Sequence, residues 1–195
     1  MKRLIQISAL ALLMIAAGAC SSRKVQRLSP DQQIDLSGRW NDTDSKQVAE
    51  AMIQQALGER WLDNFVQEEG RKPVVIAGFV DNKSHEHIAT ETFVKDLEKA
   101  FINSGRVRLV QSGDKREEIR AERAEQQNYS SPESMKQWGR EIGADFMLQG
   151  TINSIVDSYK KEKLIYYQAD LELTNLETNE IVWIGDKKIK KYVTN

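Results

Sequence analysis

The sequence predicts an α/β fold: a small sandwich of one mixed sheet, with two N-terminal strands and a C-terminal antiparallel three-strand meander, covered by about four helices. Three observations predict it. Apolar residues in the first half recur at helical spacing. A continuous apolar run, Val74 to Val80, sits between two such stretches. The last third alternates apolar and polar residues at the period of a half-buried strand.

The elements follow in order. Asp44 or Ser45 can cap a first helix in which Val48, Met52 and Ala56, then Ile53, Leu57 and Trp61, recur at four-residue intervals, with Phe65 extending the stripe. Gly58 is a point of weakness inside it. Pro73 then precedes Val74–Val80, whose unbroken apolarity suits a strand covered on both faces. A second helix is expected from about Ile88 to Asn103, burying Phe93, Leu97 and Phe101 and ending at Gly105 in a left-handed cap. Val107 to Gln111 is the second strand. Asp114 to Asn128 reads as an exposed helix of mixed charge, Glu118 and Glu122 lying among Arg120 and Arg123. Ser131-Pro132-Glu133 starts a further helix, with Met135, Trp138 and Ile142 as its apolar face.

Three strands complete the chain. Phe146, Leu148, Gly150, Ile152 and Val156 alternate with mostly polar residues, and Ile165, Tyr167, Ala169, Leu171 and Leu173 do so more cleanly. Ile181-Val182-Trp183-Ile184 leads the last strand toward Tyr192. Tyr159–Lys163 and Asn175–Asn179 are hairpin joins. The helices are expected mainly on one side of the sheet.

The N-terminus bears on compartment. Lys2 and Arg3 precede an apolar run from Leu4 to Ala17, broken only by Gln6 and Ser8. A membrane span needs about 20 apolar residues, so this run fits a secretory signal over residues 1–19. Ala17-Gly18-Ala19-Cys20 resembles a bacterial lipobox, with Ala where Leu is usual three positions before the cysteine. Cys20 is the only cysteine, which excludes an internal disulfide and makes it the expected lipid attachment site. Ser21 after it favours outer-membrane sorting by analogy, on the periplasmic face. Residues 20–37 form a polar tether, of which Ser21–Ser37 reaches about 55–60 Å at most when extended. Residues 38–195 make one globular domain.

Chemistry is hard to find in the sequence. A net charge of −1 without a basic cluster argues against nucleic acid. His85 and His87 could offer two metal ligands, yet a zinc site needs three or four protein donors and no cysteine is spare. No Gly-x-Ser-x-Gly elbow occurs, and Gly78-Phe79-Val80-Asp81 lacks the second glycine and the lysine of a phosphate loop. The expectation is a non-enzyme with no cofactor, no metal and no small-molecule substrate.

Five words remain. They are Leu36-Ser37-Gly38-Arg39-Trp40-Asn41-Asp42-Thr43-Asp44-Ser45, Asp81-Asn82-Lys83-Ser84, Thr90-Glu91-Thr92-Phe93, Gly143-Ala144-Asp145-Phe146 and Asn179-Glu180-Ile181-Val182-Trp183-Ile184-Gly185. In this order, behind a lipobox, they resemble the LpoB-type penicillin-binding-protein activators over nearly the whole mature chain. The resemblance implies a fold like the N-terminal domain of TolB. It also implies an outer-membrane lipoprotein that binds the docking domain of a bifunctional peptidoglycan synthase, a class A penicillin-binding protein, and stimulates it. The tether departs from the family, being short and carrying only Pro30. By position, the resemblance puts partner contact at Ser134, Lys136, Gln137, Arg140 and Gln149. Arg39 and Trp40 are a second candidate patch, since Trp beside Arg is the composition of interface hot spots, although Trp40 equally suits a latch onto the domain. The alternative function is a structural or assembly lipoprotein of the envelope, of the TolB-like or curli-secretion-like group, which would self-assemble into rings.

Overall fold

Asn41 opens the first helix, three residues before the expected caps. Its side-chain oxygen accepts from the Asp44 N–H (3.0 Å), while the Asp44 carboxylate accepts from the Asn41 N–H (2.9 Å). This reciprocal capping box satisfies two amides that the helix start would leave orphaned. Helix α1 therefore runs Asp42–Gly58. Asp44 and Ser45, expected as caps, are instead buried inside it.

The computed structural model describes residues 25–29, 32–129, 131, 133 and 141–194. The chain divides into two units, Met1–Gln32 and Gln33–Asn195, and the architecture below is that of the second. Most of the expected helix after Ser131, with Met135 and Trp138, lies outside the described residues, as does Cys20.

The stripe expected as one helix to Phe65 is two. Glu59 is extended (φ −87°, ψ 159°) between α1 and α2 (Arg60–Glu69), directly after Gly58. The break is stabilised by side chains that cap freed carbonyls. The Trp61 indole donates to the Ala56 oxygen (2.7 Å) and Arg106 to the Leu57 oxygen (2.5 Å). This turns Trp61 and Phe65 onto Phe146, edge to face, at 5.0 and 5.3 Å between ring centroids.

Strand β1 (Val74–Lys83) exceeds the apolar run by three polar residues. Helix α3 (Thr90–Ser104) starts two residues later than expected and ends, as expected, at a left-handed Gly105 (φ 63°). Strand β2 is short, Arg108–Val110, and α4 (Gly113–Tyr129) buries none of its residues. Strands β3 (Phe146–Tyr159), β4 (Glu162–Asn175) and β5 (Ile181–Thr194) are longer than the alternation alone suggested, because pairing continues through their polar ends.

The sheet order is β2-β1-β3-β4-β5. β1 pairs in parallel with β2 and β3, and β3, β4 and β5 form the expected antiparallel meander. Helices α1 and α3 pack on one face. Between them and the sheet lie Met52, Ile53, Phe93, Leu97, Phe101, Leu148, Ile152, Ile165, Tyr167, Leu171 and Leu173, all essentially removed from solvent. The period-2 reading of β4 holds throughout: odd positions from Ile165 to Leu173 are buried and even ones half-buried.

Asp145 fastens three elements. Its carboxylate takes two hydrogen bonds from Arg71 (2.7 Å each) and one from the Val74 N–H (2.7 Å), and its carbonyl accepts from Leu176 (2.9 Å). The Arg71 hydrogen bonds hold its carboxyl below the usual aspartate range against the opposing effect of burial, and the Val74 N–H adds to them. Asp145→Ala is expected to cost about 2 kcal/mol at neutral pH. The wild-type advantage is complete above the ordinary aspartate value, near about 4, and fades as pH falls toward the lowered one. Urea titrations across that range read both.

The β3–β4 hairpin turns on Lys160 and Lys161, with Lys160 at φ 54°. A side chain in that region costs roughly 1–2 kcal/mol. Lys160→Gly is therefore expected to raise stability by about 1 kcal/mol, seen as a later denaturation midpoint with unchanged slope.

Candidate partner-binding surface

Among the described residues, no helix covers the second face of the sheet over β3, β4 and β5 and the end of β1. Strand register lays its side chains in rows. One row is Gln149, Glu172 and Ile184. The next is Asp81, Thr151, Asp170 and Asp186, spanning four strands, and then come Lys83, Asn153, Gln168 and Lys188. Phe79 (82 % exposed) and Ile184 (69 %) flank a shallow depression of ≈ 400 Å³ whose lining includes Asp81, Gln149, Thr151, Asp170 and Glu172.

Asp170 and Asp186 face each other directly, an unfavourable pair on its own. Neighbours offset it. Gln168 donates to Asp170 (2.6 Å), Asn153 donates to its other oxygen (3.3 Å), and Lys188 pairs with Asp186 (3.2 Å). The result is a pre-ordered polar floor between two exposed apolar side chains, the composition of a protein interface with apolar anchors.

Of the partner residues expected from sequence, Gln149 sits on this face. Ser134, Lys136, Gln137 and Arg140 lie outside the described residues. The carboxylate of Glu141 is gripped by Arg116 (3.2 Å), Arg120 (3.0 Å) and Arg123 (3.2 Å) from α4. The Arg120 hydrogen bonds, against the opposing effect of desolvation, hold the Glu141 carboxyl below the usual range.

Arg39 and Trp40 are placed on the opposite side. Arg39 is exposed. The Trp40 ring lies edge-on to Phe93 (6.0 Å) and Tyr167 (5.6 Å), and its indole N–H donates to Ser45 Oγ (2.7 Å). Gly38, with φ +69°, lets the backbone lie where a Cβ would meet Val193 Cγ2 at 2.3 Å.

Beneath this segment are two charges that sequence reading missed. Glu86 Oε1 accepts from the Trp40 N–H and from the Tyr167 hydroxyl, both at 2.7 Å. Its other oxygen is buried without a hydrogen-bond donor, the Arg39 Nε standing 3.8 Å away. Burial first, then the bond to the Glu86 carboxylate, pushes the Tyr167 hydroxyl far above the ordinary phenol range. Lys191 is 9 % exposed and donates to Asp35 (2.7 Å), the Arg39 carbonyl (3.0 Å) and Asp44 (2.5 Å). The flanking His85 stacks on Tyr167 with Nδ1 2.7 Å from Ser154 Oγ, and His87 is exposed. Among the described residues no group of three or more His, Cys, Asp or Glu side chains is placed to hold a metal ion.

The described residues thus combine an exposed, ordered sheet face with a cluster of buried charges on the opposite side, an arrangement that suits a binding module. The family model described as "Peptidoglycan-synthase activator LpoB" matches residues 44–189, and the chain belongs to that family. The family consists of regulators, and membership supports a role in activating peptidoglycan synthesis through a protein partner. The fold is similar to the LpoB C-terminal domain from Escherichia coli, at 19% identity over 76% of this chain and 99% of that one, with a TM-score of 0.44. It is similar to the Salmonella enterica LpoB C-terminal domain at 16% identity with the same coverage and a TM-score of 0.43. The solution structure of E. coli LpoB matches at 17% identity over 89% and 86% of the two chains, with a TM-score of 0.42. No curated protein sequence matches the chain.

Proposed function

We propose that this protein is an outer-membrane lipoprotein, acylated at Cys20 and facing the periplasm, that binds and stimulates a class A penicillin-binding protein. The open sheet face is its docking surface. The observation that carries this reading is the pairing of two exposed apolar side chains, Phe79 and Ile184, across an ordered polar floor that contains Gln149. A surface of that kind suits a protein partner, because exposed apolar side chains beside an ordered polar floor supply the apolar anchors and polar contacts of a protein interface. Family membership supports a peptidoglycan synthase as that partner. Activation then follows from differential binding: a module that docks more tightly on the active conformation of the synthase shifts its population toward that state.

The test is glycan-strand polymerisation by a purified class A penicillin-binding protein, with and without the soluble domain. A saturable rise in rate at a one-to-one ratio supports the proposal. Saturable binding with no change in either polymerisation or cross-linking removes activation from it. Acylation and location are read separately, by labelling Cys20 with a fatty-acid probe in cells and fractionating the two membranes.

A further inference from the structure

We infer that residues 33–41 form a load-bearing clasp, which takes tension from the N-terminal tether into the sheet before it can peel α1 open. The inference draws on the proposed lipid anchor only for the origin of that tension.

Without such a device, a pull on the tether would reach the first turn of α1 end-on, and helix termini open locally at small cost. The geometry avoids this. Lys191, on the helix-facing side of β5, holds three oxygens spread along the chain, on Asp35, Arg39 and Asp44. Glu86, in the loop after β1, holds the Trp40 N–H, and Ser45 holds its indole. Asn41 ties back to Asp35 through its side-chain amide (2.9 Å) while capping α1. These attachments lie side by side and come from β5, α1 and the loop after β1, so a pull loads them together rather than in sequence.

The load also has somewhere to go. Residue 191 is paired with Ile165 on β4, and β4 is paired along its length with β3. The pairs Glu172–Ile184 and Gln149–Glu172, which build the docking face, belong to the same strands but project from the other side. The clasp and the docking face are thus back to back across one sheet. This also accounts for the longest of the family words, Leu36 to Ser45, whose Gly38, Arg39, Trp40, Asn41, Asp44 and Ser45 each take a part in it.

Single-molecule pulling on the whole, unlipidated chain tests the inference. Cys20 is the only cysteine, so its thiol serves as one handle, and Glu177→Cys in the exposed β4–β5 turn supplies the other. The wild type is expected to rupture in one event. Asp35→Ala removes one leg of the clasp at a half-exposed site and leaves Lys191 paired with Asp44. It is expected to add an earlier, weaker step of at most about 30 Å, the extended length of residues 33–41, with the later rupture unchanged and the urea midpoint only modestly lowered by the lost partner of Lys191. Traces identical for wild type and Asp35→Ala would overturn the clasp, as would a wild type that already gives the early step. Lys191→Met serves as a second variant and should give the same step more often. None of these outcomes depends on whether the cell acylates Cys20, so failure of the anchor and failure of the clasp are told apart.

Discussion

Lys191→Met is expected to destabilise the protein by about 3–5 kcal/mol, the largest single-site effect outside the apolar core. The loss comes from what remains behind. Methionine fills nearly the same volume, but Asp44 is 8 % exposed at its side chain and would keep its charge with its cation gone. Adding Asp44→Asn to the same chain should recover most of the loss, because asparagine can still accept from the Asn41 N–H at the helix start. The pH dependence has a definite sign. Burial alone would lower the Lys191 pKa, but the hydrogen bonds to Asp35 and Asp44 outweigh it and raise the pKa above the ordinary lysine value. The stabilisation is therefore complete below about pH 10 and is lost as pH rises through the raised value. Urea melts of wild type, single and double variants measure all of this. A single variant as stable as wild type would refute the account.

The second large effect concerns binding. Phe79→Glu combined with Ile184→Glu should weaken association with the proposed synthase partner about a hundredfold, or roughly 3 kcal/mol, while lowering stability by no more than about 1 kcal/mol, the cost of a carboxylate at position 184 opposite Glu172. Both side chains are mainly exposed, so their loss removes little from the core. In a complex they would be the apolar anchors, and a carboxylate in place of each would be desolvated without a partner. Gln149→Ala is expected to do less, since its amide contributes to the polar floor rather than to an anchor. Isothermal calorimetry gives the affinities, and the polymerisation assay shows whether stimulation falls in step. Unchanged affinity in the double variant would move the docking site off this face.

The strands were legible because alternation and burial coincide: every buried position of β4 is apolar, and every half-buried one between them is polar or tyrosine. The two-helix form of the 42–69 region was only half legible. Gly58 marks the weak point, but the break depends on Arg106, which is far away in sequence and caps Leu57. Lys191 was missed for a different reason. In Asp186-Lys187-Lys188-Ile189-Lys190-Lys191 it reads as one of several solvated charges. Counting in twos from buried Trp183 would have placed it on the core side, and a lysine there requires buried partners. Glu86 gave even less signal, because two exposed histidines flank it and its partners Trp40 and Tyr167 are 46 and 81 residues distant. The words that carried the family resemblance also take on physical meaning. Asp145 joins three elements, and Asn82 closes the turn after β1 by accepting from Ser84 and donating to the Glu86 carbonyl.

The parallel pairing of β1 with β3 has a kinetic consequence. Their first contact joins Val74 to Asp145 across 71 residues, whereas β3, β4 and β5 are linked by tight turns. Closing the longer loop costs more chain entropy, so the meander is expected to assemble before β1 docks on it. The meander, β3 to β5, then acts as the template on which β1, α1 and α3 pack. Until Ile181 to Thr194 has been made, the outer strand that receives Asp35 and Asp44 does not exist. Folding of the sheet is thus expected to wait until β5 has been made, so the helices and β1 stay without their packing surface while the meander is still being synthesised.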